Sequence, residues 1–186
     1  MLPCMTVINP CDYNQTRAAT LAIADHQGPV YLRFGRPGWP MFTENLPFEI
    51  GKALPLAEGT DVSVFATGHM VWMALDAAEQ LAQQQIEAKV VNFSTIKPLD
   101  QAAIRQAAAG AELLVSVEEH SIIGGLGGAI AECLSGMALD GVSTQPPLLR
   151  LGTKDVFGES GMADELLEKH RLTAPLIAED IRGALK

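Results

Sequence analysis

Little in this chain of 186 residues is basic: 13 Lys and Arg stand against 22 Asp and Glu, for a net charge of −9. A nucleic-acid or anionic-membrane surface rewards clustered cations, and the few present here are scattered, which argues against both kinds of partner. No apolar run approaches the roughly 20 residues needed to span a bilayer. The opening residues, MLPCMTVINP, lack the basic stretch and long apolar run of a secretory signal. Cysteine is scarce as well. Cys4, Cys11 and Cys133 follow no regular spacing, which fits a reducing cytoplasm better than a disulfide framework. No CxxC or HxxxH pair occurs, and His26, His69, His120 and His170 stand far apart, so no metal site is expected. Internal repeats and low-complexity tracts are missing too.

What is present is a hydrophobic fraction of 48% with 19% charged residues, a balance that supports a sizeable core and opposes disorder. Short β-branched runs alternate with alanine-rich segments of helical period, the pattern of an α/β protein with a mainly parallel sheet. The expected strands are Thr6 to Ile8, Val30 to Phe34, Val62 to Ala66, Ala88 to Phe93, Leu113 to Val117 and Leu148 to Leu151. Most are nearly continuous in apolar character, as strands covered on both faces are. Helices are expected over 13–25, 69–84, 100–109, 125–137, 162–169 and 174–185. Asp100 and Gly110 bracket the third as an N-cap and a C-terminal glycine. Thr173 ahead of Ala174-Pro175 marks the start of the last.

One stretch breaks the alternation. From Gly35 to Pro47 the chain reads GRPGWPMFTENLP, proline-rich and without period, a composition that suits a linker between domains. It leaves residues 1–36 as a single strand–helix–strand unit, too small to bury its own core. The rest of that domain is therefore expected elsewhere, with Met1 the edge of a longer reading frame, because a start inside a domain strands apolar edges.

Four places could carry chemistry. The run Glu118-Glu119-His120-Ser121-Ile122-Ile123-Gly124-Gly125-Leu126-Gly127-Gly128 leaves a strand, turns through glycines and enters a helix. Open α/β sheets put ligand sites there, although such glycines equally serve a tight turn and close packing. It is neither a dinucleotide fingerprint, since Ile130 replaces the third glycine, nor a phosphate loop, since no Gly-Lys-Ser/Thr comes after it. Arg33 and Arg36, at a strand end in Arg33-Phe34-Gly35-Arg36-Pro37, could grip a phosphate or carboxylate, or form surface salt bridges. His69 comes directly after Thr67-Gly68 at a strand-to-helix turn, where a functional side chain or a mere cap would stand. His120 beside two glutamates could titrate near neutrality. The loop Lys154 to Gly161 reads as a loop and a cap, and the cysteines as packed rather than reactive.

In order, LPCMTVINPCDYNQT, GPVYLRFGRP, FEIGKA, ATGHMVWMALDAAEQLA, VVNFSTIKPLD, VSVEEHSIIGGLGGAIAE and KDVFGESG resemble the carboxy-terminal subunit of bacterial split transketolases. The end of full-length transketolases is similar, and more loosely that of deoxyxylulose-phosphate synthases. The likeness spans essentially the whole chain. It implies a three-layer α/β/α fold with a five-stranded, mostly parallel mixed sheet, its antiparallel edge near Ile50 to Leu56, preceded by a fragment of a second α/β domain. Residues 1–36 would be the tail of the domain that binds the aminopyrimidine of thiamine diphosphate, 37–47 a linker, and 48–186 the carboxy-terminal domain.

The resemblance also implies the reaction, transfer of a two-carbon ketol unit between sugar phosphates, with thiamine diphosphate as electron sink. The cofactor-activating glutamate and the diphosphate and Mg2+ site would lie in missing amino-terminal sections, so no catalytic residue is named in this chain. Neither cofactor nor metal is expected on the chain alone, which should be inactive by itself and active in a cytoplasmic homo-oligomer, such as a dimer, completed by those sections. Arg36 matches the second arginine of the family's Arg-x-x-Arg segment, which binds the substrate phosphate. Arg33 is a second candidate, and His69 and His120 are loop candidates. Two other readings stand beside this one: the end of a 2-oxo acid dehydrogenase β subunit, against which GGLGGAIAE and KDVFGESG weigh, and a non-catalytic dimerisation module.

Overall fold

The apolar runs at 62–66, 88–92 and 113–117 form the centre of one twisted sheet, and the alternation of their side chains sets up its two faces. The computed structural model describes residues 2–36, 38–139 and 145–185. Strands β4 (Val62–Ala66), β5 (Ala88–Asn92), β7 (Leu113–Ser121) and β8 (Leu148–Thr153) run parallel, and β3 (Leu54–Ala57) closes the β5 edge antiparallel, in the order β3-β5-β4-β7-β8. The antiparallel edge thus overlaps the end of the stretch Ile50 to Leu56, where the resemblance puts it.

Val62, Val64 and Ala66 point to one face, where α2 (Met70–Ala82) and α6 (Ala174–Ala184) bring Met70, Val71, Leu81, Ile177 and Ile181 against them. Phe65, Val91 and Leu114 point to the other, where α3 (Gln101–Ala108) and α4 (Leu126–Leu139) contribute Ile104, Leu126 and Ile130. Each such side chain, once fully buried, contributes roughly 1.5–3 kcal/mol, so these two cores hold the three layers together. Ser63, the one polar residue in β4, is buried without penalty because its hydroxyl donates to the Ala107 carbonyl at 2.7 Å.

Local signals end the helices where expected. Asp100 caps α3 by accepting from Ala103 N–H, and Gly110 lies just beyond it with φ +89°. Thr173 occupies the N-cap of α6, with Pro175 in its first turn. A short α5 (Ala163–Lys169) begins after Met162 with Asp164 and Glu165 in its first turn, where acidic residues favour the helix dipole.

A second, smaller sheet holds the amino-terminal unit. Strand β1 (Thr6–Ile8), helix α1 (Tyr13–Ala24) and strand β2 (Val30–Leu32) form the expected strand–helix–strand. Two features are not legible in the sequence. Strand β6 (Thr95–Lys97), too short to show a period, pairs antiparallel with the other edge of β1 and gives the order β2-β1-β6, so the unit borrows a strand from the larger part. The aperiodic stretch after Gly35 is also fastened. The Asp12 carboxylate caps α1 through Gln15 N–H at 2.8 Å and takes both the Phe42 and Thr43 N–H groups at 2.8 Å, together with the Thr43 hydroxyl.

The two sheets meet at the carboxyl ends of the parallel strands. From β4 the chain passes through α2 to β5 on one side, and from β7 through α4 to β8 on the other. The crevice between the ends of β4 and β7 is therefore the topological switch point, where open α/β sheets bind ligands. Here Asn9, at the end of β1, occupies it. Its carbonyl accepts Gly68 N–H at 3.1 Å and its own N–H donates to the Ser94 carbonyl at 2.7 Å. Gly68 has φ +59°, and an added Cβ would stand 2.6 Å from the Asn9 side-chain nitrogen, so glycine is required there.

Candidate functional site

Two of the residues singled out by sequence, Arg33 and His69, meet at this crevice. Strand β2 ends at Leu32, but Arg33 N–H still donates to the Ile8 carbonyl at 2.8 Å, which fixes the direction in which the next residues leave. The Arg33 guanidinium crosses to the end of β7, donating to the Glu119 backbone carbonyl at 2.9 Å and lying 3.7 Å from its carboxylate. That carboxylate is also 3.4 Å from His69 Nε2, at the N-cap position of α2. The His69 side chain is only 14% exposed and stacks on Trp39, rings 4.4 Å apart and 4° from parallel. Arg33, Glu119, His69 and Trp39 thus form one continuous cluster.

Burial pushes the His69 imidazole below the usual histidine range; Glu119 opposes the shift and Arg33 reinforces it. At neutral pH the ring is therefore uncharged, which suits its place at a helix N-terminus. Neither His69 Nε2 nor Trp39 Nε1, both buried, makes a hydrogen bond to the described residues.

Arg36 stands apart from this cluster. It is exposed and forms no ion pair or hydrogen bond among the described residues. Its chain neighbours Phe34, Gly35, Gly38 and Trp39 line a cleft of ≈550 Å³ with Cys11, Asp12, Tyr13 and His69, but Arg36 itself is not part of that lining. His120 lies elsewhere. It is half exposed, its Nδ1 is 2.8 Å from the Ser121 carbonyl and 4.0 Å from the Glu118 carboxylate, and it lines a separate cavity of ≈230 Å³ that it shares with Arg33 and Thr67.

The glycine turn has a different use. Glu118, almost wholly buried, places its two carboxylate oxygens on Leu126 N–H at 2.7 Å and Gly127 N–H at 2.8 Å, and so caps α4 with a charge from the neighbouring strand. A side chain at Gly125 would collide with that carboxylate. The place a diphosphate would take at such a turn is filled by the chain's own anion, so these residues do not fit a thiamine diphosphate and metal site. Among the described residues no group of three His, Cys, Asp or Glu is placed to hold a metal ion.

Residues 51–177 match the family described as the transketolase C-terminal domain. The chain belongs to the transketolase family. It is 48% identical to the 6-deoxy-6-sulfo-D-fructose transketolase subunit SqwH of Clostridium sp. (strain MSTE9), over 93% of this chain and 52% of that protein. It is 43% identical to a putative transketolase C-terminal section of Methanocaldococcus jannaschii, over 100% of this chain and 57% of that one. Among solved structures, a split-gene transketolase described as an inactive β4 tetramer superposes with TM-score 0.91 at 41% identity, covering 100% of this chain and 59% of that one. The chain spans about half the length of the curated relatives it matches.

Within this transketolase portion, sequence reasoning singles out Arg33, Arg36 and His69 as candidates but misses Glu119 and Trp39, the partners of Arg33 and His69. Glu119 reads in the sequence as merely one of a pair of adjacent acids. The strand alternation holds the signal: in a strand continuing past Val117, Glu118 and Glu119 must face opposite sides. Trp39 sits in a stretch that reads as a connection, where a large aromatic surrounded by prolines is itself a hint of packing. The expectation that the cysteines are packed holds for Cys11, whereas Cys4 is exposed.

Proposed function

We propose that this chain is the carboxy-terminal section of a thiamine-diphosphate-dependent transketolase, transferring a two-carbon ketol unit between sugar phosphates once combined with a cofactor-binding section. Residues 1–36 complete the pyrimidine-binding domain of that assembly, 37–47 cross over, and 48–186 form the carboxy-terminal domain. Thiamine diphosphate and Mg2+ come with the missing section, since the glycine turn here is closed by Glu118. Such an assembly is cytoplasmic and contains more than one copy of this chain. The solved relative, an inactive β4 tetramer, supports self-association of the isolated section and its lack of activity.

The observation that carries the substrate side of the reading is the contrast between the two arginines. Arg33 is committed to Glu119, whereas Arg36 is exposed with its planar fork of donors free among the described residues. Arg36 therefore takes the terminal phosphate of the sugar, and Arg33 does not. The guanidinium fork suits a sulfonate as well as a phosphate, and the relative SqwH carries a sulfonated ketose in its name.

The test is reconstitution. The chain is co-purified with a cofactor-binding section, and ketol transfer from a ketose phosphate to an aldose phosphate is monitored with 2-oxo acids as competing donors. Transfer by the pair and none by the chain alone is expected. Full activity of the isolated chain, or a preference for 2-oxo acids, would overturn the reading. Arg36→Ala should raise KM for phosphorylated sugars about 30–100-fold, the effect of removing a charge-assisted contact from the anion.

A further inference from the structure

We propose that Glu119 and His69 are positioning residues for Arg36, closing the base of the loop that presents it. The inference rests on the reading of Arg36 as the ligand of the substrate's terminal anion. Six peptide units separate Arg33 from Trp39, enough for an extended chain of roughly 20 Å. Both ends are nonetheless tied to one spot. Arg33 is held by the backbone carbonyl and carboxylate of Glu119, Trp39 is held by the ring of His69, and Glu119 and His69 are themselves 3.4 Å apart. The segment is therefore pinned at its two ends, and in that sense a hoop, with Arg36 three residues from each pin and the pins belonging to β7 and α2 of the larger sheet.

That arrangement has two consequences. Both ends of the hoop are fixed before any ligand arrives, so gripping the anion does not have to fix them. Glu119 also keeps Arg33 occupied, which leaves a single guanidinium to define where the anion sits. His69 serves through its flat face: Trp39 has no other aromatic partner among the described residues, and stacking fixes both the distance and the tilt of the hoop's far end.

The experiment uses the assembled enzyme and compares KM for an aldose phosphate with KM for the same aldose without phosphate, in the native enzyme, Glu119→Ala, Arg36→Ala and the double variant. Glu119→Ala removes the carboxylate but leaves the backbone carbonyl that accepts from Arg33, so it is expected to raise KM for the phosphorylated sugar about 3–5-fold, to weaken the discrimination between the two sugars, and to add less than about 1.5-fold in the Arg36→Ala background, because it acts only through Arg36. Glu119→Gln, which keeps an acceptor for Arg33, should recover part of the loss. Trp39→Leu, which frees the other end of the hoop and remains informative if Glu119→Ala fails to fold, should act in the same direction.

An equal effect of Glu119→Ala with and without Arg36, or a loss confined to kcat, would overturn the positioning role and leave Arg36 as the ligand. If Arg36→Ala leaves KM unchanged, the phosphate reading falls and this inference falls with it.

Discussion

Asp12 is the residue whose removal should do most to loosen the amino-terminal unit from the segment around Phe42 and Thr43. Its carboxylate is buried and accepts four hydrogen bonds, two on each oxygen. Gln15 N–H and the Thr43 hydroxyl meet Oδ1, and the Phe42 and Thr43 N–H groups meet Oδ2. Asp12→Asn separates these. Asparagine is as good an N-cap as aspartate, so its oxygen keeps the Oδ1 pair at little cost. Its NH2 group would face two N–H donors where an acceptor stood, and two buried donors lose their partner. At about 1–3 kcal/mol for each buried polar group left unpaired, reduced for relaxation and non-additivity, the cost is about 2–4 kcal/mol.

The assay is urea unfolding monitored by tryptophan fluorescence, with Trp39 a few residues from the affected backbone. Burial alone would raise the Asp12 pKa, but the bonds from Gln15, Thr43 and Phe42 outweigh it and hold the carboxyl below its ordinary value. A carboxyl depressed in the folded state contributes stability that is present above its unfolded value near 3.9 and is lost as pH falls through the lower folded value. The difference between native chain and Asp12→Asn should therefore be full at pH 7 and shrink below about pH 4. A cost under about 1 kcal/mol at pH 7, or one that does not shrink in acid, would refute the reasoning.

Other perturbations separate the remaining contacts. Gly125→Ala should cost about 2–4 kcal/mol in the same urea assay, because the added methyl displaces the buried Glu118 carboxylate from the α4 N-terminus; a cost below about 1 kcal/mol would show that the turn can relax. His69, depressed in the folded state, should make stability fall as pH drops from about 6.5 through its lower folded value, because there the unfolded chain binds the extra proton. His69→Gln should remove that slope, whereas an unchanged slope would assign it to another group. Thiol labelling at pH 8 should modify exposed Cys4 quickly and leave Cys11 untouched until unfolding, since burial, seconded by the Asp12 charge, pushes the Cys11 thiol far up. Fast reaction of Cys11 in the folded chain would contradict its place in the core.

The larger sheet is legible in the sequence because its strands are long enough to show their character. Val62 to Ala66 is apolar but for Ser63, and Asp100 and Gly110 bracket α3 by ordinary capping chemistry. Strand β6 stays hidden because three residues carry no period, and its pairing with β1 depends on a partner nearly ninety positions away in the chain. Sequence pattern alone ends β7 at Val117, because Glu118, Glu119 and His120 look like a loop. The strand runs on to Ser121 because Glu118 turns inward to cap α4 while Glu119 turns toward Arg33 and His69. The candidate site obeys the same rule. Single residues at strand ends can be picked out, but the side-chain cluster that ties Arg33 to Trp39 is made of contacts between β2, the segment after it, α2 and β7, and only the fold brings these together.

The crevice at the switch point offers the means by which such sheets usually hold ligands, and each is already committed within the chain. The strand-end backbone is paired with Asn9, the α4 N-terminus with Glu118, and the first arginine with Glu119. The larger sheet therefore acts as a base on which the smaller one is registered to within hydrogen-bond lengths, rather than as a binding surface in its own right. Uncommitted groups remain on the smaller sheet's side as well: β2, which pairs only with β1 among the described residues and exposes Tyr31, and the hoop carrying Arg36. A row of unpaired strand groups is a template for another chain. In the proposed assembly, a cofactor-binding section that docks along β2 would lie beside the segment carrying Arg36, whose ends, Arg33 and Trp39, are held by β7 and α2.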